Sequence, residues 1–233
     1  RTMFGFLSRA LWGSLRDALK GKCRWAKVRR NWKAALSLPA VYAGLAEDFW
    51  QPFKSYREAE KELRSTFFVI PFKEKVGLDG TDREGALRAC RYDVTDIQDD
   101  IRDLLSQGCE IAVHGIDAWQ SAREGKRELG RIGQATGNTE TGIRMHWLYF
   151  NDQSATALEE AGYRYDSTAG YNEAVGYRCG TGQAFRPPGL ERLLELPMNI
   201  QDTALFYPDR MGLTEEEAWP LVRELLENAK RHG

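Results

Sequence analysis

The sequence predicts an α/β fold built on a parallel sheet or barrel, and three observations predict it. Helical and strand patterns alternate along the chain as helix, strand, helix, strand, helix, strand, helix, strand, strand, helix, which is how parallel βαβ units read in sequence. A short apolar run, residues 110–113, ends abruptly in His114, Gly115 and Asp117. Ligand-capable side chains closing a buried strand are typical of the carboxyl edge of an α/β sheet, where such proteins keep their chemistry. Finally, 233 residues with 42% apolar and 29% charged content can bury a sizeable core.

The elements follow in order. Residues 1–36 have helical periodicity: Phe4, Leu7, Leu11, Leu15 and Leu19 share one face, then Trp25, Val28, Trp32 and Leu36 share another after Gly21. This stretch is basic, with Arg1, Arg9, Arg16, Lys20, Arg29 and Lys33 among its cations and Asp17 as its one acid. A solvated helix face explains such charge, and a patch for a membrane surface or an anionic polymer is the alternative. Residues 39–62 read as loop, then helix, with Phe49, Trp50, Phe53 and Tyr56 dense enough for a lid or a packed loop.

Residues 65–70 are β-branched and aromatic and end at Pro71, a strand signature. A charged loop covers residues 73–91. Residues 96–107 form a helix with Ile97, Ile101, Leu104 and Leu105 inward and Gly108 as its stop. The central strand follows, then a polar helical stretch over residues 119–136. Residues 143–147 read as a strand with a functional edge. Asp152 caps a helix over 153–161 that stops at Gly162. Residues 163–166 are a short strand, 170–182 a Gly- and Tyr-rich loop, and 193–200 a further strand. Thr214 and Glu217 form a capping box that opens a helix reaching about residue 231.

Composition narrows function. A net charge of −1 gives no global field for nucleic acid. Four scattered cysteines without a CxxC pair argue against a cysteine zinc site and for a reducing, cytoplasmic setting, with two disulfides as the alternative. No apolar run approaches the ~20 residues of a membrane span. Nucleophile elbows, P-loops and dinucleotide-binding glycine motifs are missing from the sequence.

The candidate chemistry gathers at strand ends. His114 and Asp117 are ligand types for zinc or a similar divalent ion. The structural alternative is a hydrogen-bonded His114 with Asp117 capping the next helix. Arg144 and His146 stand on alternate strand positions and so point one way. Arg144 can hold a carboxylate in a bidentate pair, and His146 can serve as acid or base near neutral pH. A structural ion pair and a packing histidine are the respective alternatives. Trp147 suits either a core or a sugar platform. Arg178 and Arg186 are further candidates for phosphate or carboxylate recognition, or for structural pairing. Cys179, beside Arg178, lacks a histidine partner in sequence.

Taken together, residues 66–69, 108–115, 142–147, 157–167 (Ala157-Leu158-Glu159-Glu160-Ala161-Gly162-Tyr163-Arg164-Tyr165-Asp166-Ser167) and 194–197 resemble the polysaccharide deacetylase family of carbohydrate esterases. The resemblance runs over residues 65–206. It implies a distorted (β/α) barrel, incomplete in this chain, over residues 63–233, with residues 1–62 as a basic helical segment packed on or inserted into it. It also implies a divalent metal, usually zinc, held by an Asp and two His, and a polysaccharide or oligosaccharide substrate.

By the same resemblance His114 matches the first metal-binding His, while the second falls on Ala118, leaving Asp117 as the nearest substitute. Arg144 matches the Arg that orients the catalytic Asp, and Trp147 the aromatic wall of the substrate groove. His146 stands where the family has Pro. The family's paired Asp motif is expected upstream of Arg1 and its late His beyond Gly233, so the chain reads as a fragment unable to run the full reaction. The implied activity is metal-dependent removal of N-acetyl groups from amino sugars. The alternative is a deacetylase-like scaffold that binds a glycan or a partner without catalysis.

Overall fold

The computed structural model describes residues 12, 13, 15, 25–46, 53–61, 63–77 and 89–232. The chain divides into two compact units, Arg1–Leu63 and Arg64–Gly233. In the first, α1 spans Trp25–Tyr42 and α2 Phe53–Ala59. Ala34, Ala35 and Leu38 are buried, a face at helical spacing, while Leu36 is exposed. The helix runs through Pro39 to Tyr42, past the loop expected from residue 39. Trp12 and Leu15 are exposed. Phe4, Leu7, Leu11, Leu19, Phe49, Trp50 and most of the loop 73–91 lie outside the described residues.

The second unit is a mixed α/β structure on a five-stranded parallel sheet. Its strands are β1 (Thr66–Val69), β2 (Glu110–Gly115), β3 (Ile143–Met145), β4 (Tyr165–Asp166) and β5 (Leu194–Glu195). They lie side by side in chain order, each paired in parallel with the next. Helices α3 (Gln98–Ser106), α4 (Ala122–Thr136) and α5 (Ser154–Ala161) make the first three crossovers, and α6 (Asp202–Phe206) and α7 (Glu215–His232) follow the sheet.

Local signals set these boundaries. A 3-10 turn over Val94–Ile97 precedes α3, and Asp93 closes a capping box with Asp96 there. Gly108 takes the left-handed conformation (φ +80) that stops the helix. Ser121, not Asp117, caps α4 by accepting from the Glu124 amide. Asn151 rather than Asp152 serves the start of α5, accepting from the Gln153 amide and the Ser154 hydroxyl. Thr214 and Glu217 exchange the two expected capping bonds at α7. The expected strand over 193–200 is shorter. The ladder reaches Leu196, whose amide donates to Asp166, and Pro197 has no N–H to continue it.

The core fills the space between sheet and helices. Ile111, Val113, Ile143 and Met145 from the strands meet Ile101, Leu104, Leu129, Ile132 and Leu158 from the helices, all buried. Each such side chain stabilises the fold by about 1.5–3 kcal/mol. At the amino end of the sheet the Glu110 carboxylate accepts from the hydroxyls of Thr66, Thr141 and Tyr165, tying β1, β2 and β4 together. At the opposite end the chain has left its chemistry-bearing side chains.

Candidate functional site

Register assembles the site. His114 and Arg144 are direct cross-strand partners on β2 and β3. In a parallel pair such residues point to the same face. Gly115 then lets the two strands close, since a Cβ there would lie 2.6 Å from the Met145 sulfur.

β3 ends at Met145, and residues His146–Leu148 form a 3-10 turn instead of continuing the strand. Trp147 (φ 61) and Leu148 (φ 57) both take left-handed backbone conformations, which cost non-glycine residues of order 1–3 kcal/mol each. Asn172 holds this turn by donating its side-chain amide to the Trp147 carbonyl. The turn carries the His146 ring to 4.9 Å from the His114 ring, centre to centre, at 41°. Trp147 lies edge-on to His146 at 5.6 Å and is 39% exposed. Tyr149 neighbours it at 6.2 Å and stacks on Trp119.

Electrostatics distinguish the groups. Burial, with the positive charges of His146 and Arg144, pulls His114 down to a pKa of about 3. At neutral pH it is an uncharged imidazole, suited to ligation or hydrogen bonding rather than to proton transfer. Its Nδ1 is buried without a hydrogen-bond partner. Arg144 donates through Nε to the Ser167 carbonyl and through Nη2 to the Ser167 hydroxyl, and lies 4.4 Å from the Phe68 ring centre. Two of its five donors are so engaged, leaving others for a substrate carbonyl or carboxylate.

Beside Arg144 stands a pair of acids that sequence reasoning missed. Asp166 and Glu195 are cross-strand partners on β4 and β5, and both are buried. Burial raises both carboxyls, and the charge of Asp166 raises Glu195 further. The pair therefore holds a proton that two isolated carboxyls would have lost at neutral pH. The signal was an acid inside an apolar strand run, as in Leu193-Leu194-Glu195-Leu196.

Asp117 is placed differently. It is 1% exposed, and its carboxylate pairs with Lys75 at 2.9 Å. Lys75 also reaches Glu124 at 3.2 Å and Glu128 at 3.0 Å. Glu128 in turn accepts from the amides of Ile116 and Asp117. Burial lowers the Lys75 pKa, but the charge of Glu128 and bonds to Asp117 and Glu128 outweigh it and leave the lysine raised. Ala118, where a second His is expected by resemblance, is fully buried.

Arg178 donates to the Gly170 carbonyl in the loop that carries Asn172, while Arg186 is exposed. Cys179 is largely exposed and forms no disulfide, and the partial desolvation of its thiol together with nearby Glu195 raises it, the opposite of an activated nucleophile. Thus the structure gathers His114, Arg144, His146 and Trp147 and commits Asp117 elsewhere. Among the described residues no group of three or more His, Cys, Asp or Glu stands together to hold an ion. Nor is any described helix long and apolar enough to cross a membrane.

No family model matches the chain, and no curated protein does. A solved structure from Mycobacterium smegmatis named "putative polysaccharide deacetylase" matches with 22% identity and a TM-score of 0.38, over 60% of this chain and 42% of that one. The chain thus spans less than half the length of that neighbour.

Proposed function

We propose that the strand-end site removes N-acetyl groups from amino sugars of a polysaccharide by metal-assisted hydrolysis, on a scaffold related to a distorted (β/α) barrel. The observation that carries this reading is the convergence of two imidazoles, a guanidinium and a half-exposed indole at the carboxyl ends of β2 and β3. The sequential strand order, without the reversal of a doubly wound sheet, supports the barrel relation.

Each residue has a role that follows from its surroundings. Trp147 offers an apolar ring face to a sugar. Arg144, held by Ser167 and with donors to spare, fixes a carbonyl or carboxylate of the substrate. His146 holds or moves a proton at the leaving nitrogen. His114, uncharged and with a partnerless buried Nδ1, fits as an ion ligand, whereas Asp117 does not, because Lys75 holds its carboxylate. A bound divalent ion supplies carbonyl polarisation and a more acidic water. The test is acetate release from N-acetylated oligosaccharides in the presence of zinc. Release that disappears in His114→Ala supports hydrolysis, and release unchanged by that substitution contradicts it.

A specific observation favours a second reading, a deacetylase-like scaffold that binds a glycan without cleaving it. The described residues hold no three-ligand group. Saturable oligosaccharide binding with no acetate release identifies that case.

A further inference from the structure

Exposed aromatic rings gather on two segments of the second unit. Trp147 and Phe150 stand exposed on the stretch after β3, and Tyr171 is exposed in the loop after β4. One bond joins the segments: the Asn172 side chain donates to the Trp147 carbonyl at 3.1 Å. Apolar rings grouped in water mark an interaction surface, as scattered ones do not. We infer that the loop after β4 forms a subsite for an acidic sugar, with Tyr171 as a ring platform and Arg178 as the group that takes the sugar's carboxylate. It deepens the reading of Trp147 as a sugar platform and rests on that reading.

The cation is held in place and left unmatched. The Arg178 guanidinium lies 5.8 Å from the Tyr171 ring centre, within range of a cation–π contact. Its Nη1 donates to the Gly170 carbonyl at 2.6 Å. Arg178 is exposed and enters no ion pair among the described residues. One of its five N–H donors is so engaged, and the rest lie in the planar fork that matches a carboxylate. An exposed arginine normally loses rotamer freedom when it binds an acid. Here two contacts within the protein orient the fork beforehand.

The loop is fixed as well. A Cβ on Gly170 would lie 2.8 Å from the Met198 carbonyl oxygen, so the backbone there packs directly on the chain after β5. The Gly176 amide donates to the Asn199 carbonyl, and the Tyr177 hydroxyl to the Leu225 carbonyl of α7. A rigid ring beside an oriented guanidinium suits a ligand with an apolar face and an acid on it. A pyranose that carries a carboxylate has both, since its ring C–H bonds make the face. An inorganic anion engages the arginine alone and gains nothing from the ring.

The test is calorimetric titration of the full chain with a hyaluronan hexasaccharide, which alternates N-acetylglucosamine with glucuronate. Its comparison is the same chain with the carboxylates reduced to alcohols, which keeps the linkages and removes the charge. Wild type is expected to bind the acidic form about tenfold more tightly, the size of one charge-assisted contact at an exposed site. Arg178→Gln is expected to remove that preference and leave binding of the reduced form as it was. Arg178→Lys is expected to recover only part of it, because an ammonium lacks the fork. Tyr171→Ala is expected to weaken both forms. Both side chains are exposed, and melting curves confirm that the variants are folded. Equal binding of the two forms by wild type overturns the subsite while the sugar reading of Trp147 stands. A preference that survives Arg178→Gln also overturns it. If neither form binds, the subsite falls together with that sugar reading. Acetate release on the same samples judges hydrolysis separately.

Discussion

Two charged centres meet three residues apart in sequence, at His114 and Asp117, and are built on opposite principles. Around Lys75 every charge is matched. Asp117, Glu124 and Glu128 share one ammonium, Glu128 also accepts two backbone amides, and Arg127 adds a pair to Glu124. At the strand ends little is matched. An imidazole nitrogen is buried without a partner, two residues sit in strained backbone, two acids crowd one position, and an indole faces out. A saturated cluster holds structure, whereas unmet donors and stored strain mark a place prepared for something else. His114 and Asp117, three residues apart, fall on either side of that divide.

Substitutions sharpen the contrast, beginning with the largest effect. Glu128 is fully buried and serves Lys75 and two amides. Glu128→Ala is expected to cost about 3–5 kcal/mol in urea unfolding, because it strands a charge and two buried donors. Lys75→Met is expected to cost about 3 kcal/mol, as three carboxylates lose their cation. Neither change acts on the strand-end residues directly, so oligosaccharide binding by folded protein is expected to persist. Equal losses from His146→Ala would erase the distinction between the two centres.

The next effect is a pH dependence. Glu195 keeps its proton in the fold up to a pKa of about 8, against an ordinary value of 4.5. A raised acid contributes stability that is complete below its unfolded pKa and lost as pH rises through the folded one. Wild type is therefore expected to weaken between about pH 5 and pH 8 relative to Glu195→Gln, by about 1–2 kcal/mol, because Asp166 shares the proton and takes part of the effect. Parallel curves for the two proteins would remove the shared proton. The smallest effect belongs to Trp147→Gly. Glycine relieves the left-handed strain, so stability is expected to hold or rise by up to about 1 kcal/mol while oligosaccharide binding is lost.

The sequence made the alternation, the strand end at His114, the stops at Gly108 and Gly162 and the box at Thr214 legible, because period and capping are local. It did not make the fate of Asp117 legible. That depends on Lys75, which lies 42 positions earlier in a loop of no visible pattern. Nor did it show that His146 leaves the strand. Alternation placed His146 beside Arg144, whereas the turn at Trp147 brings it to His114. Asp166 and Glu195 went unnoticed because each looks like one charge on a short strand until the register pairs them.

The most direct test of the account is amide chemical-shift mapping with an N-acetylated amino-sugar oligosaccharide. The account predicts saturable shifts at His114, Arg144, His146, Trp147 and Asn172, with residues around Lys75 and Glu128 unmoved. Shifts centred on the Lys75 cluster, or none at the strand ends at saturating sugar, would contradict it.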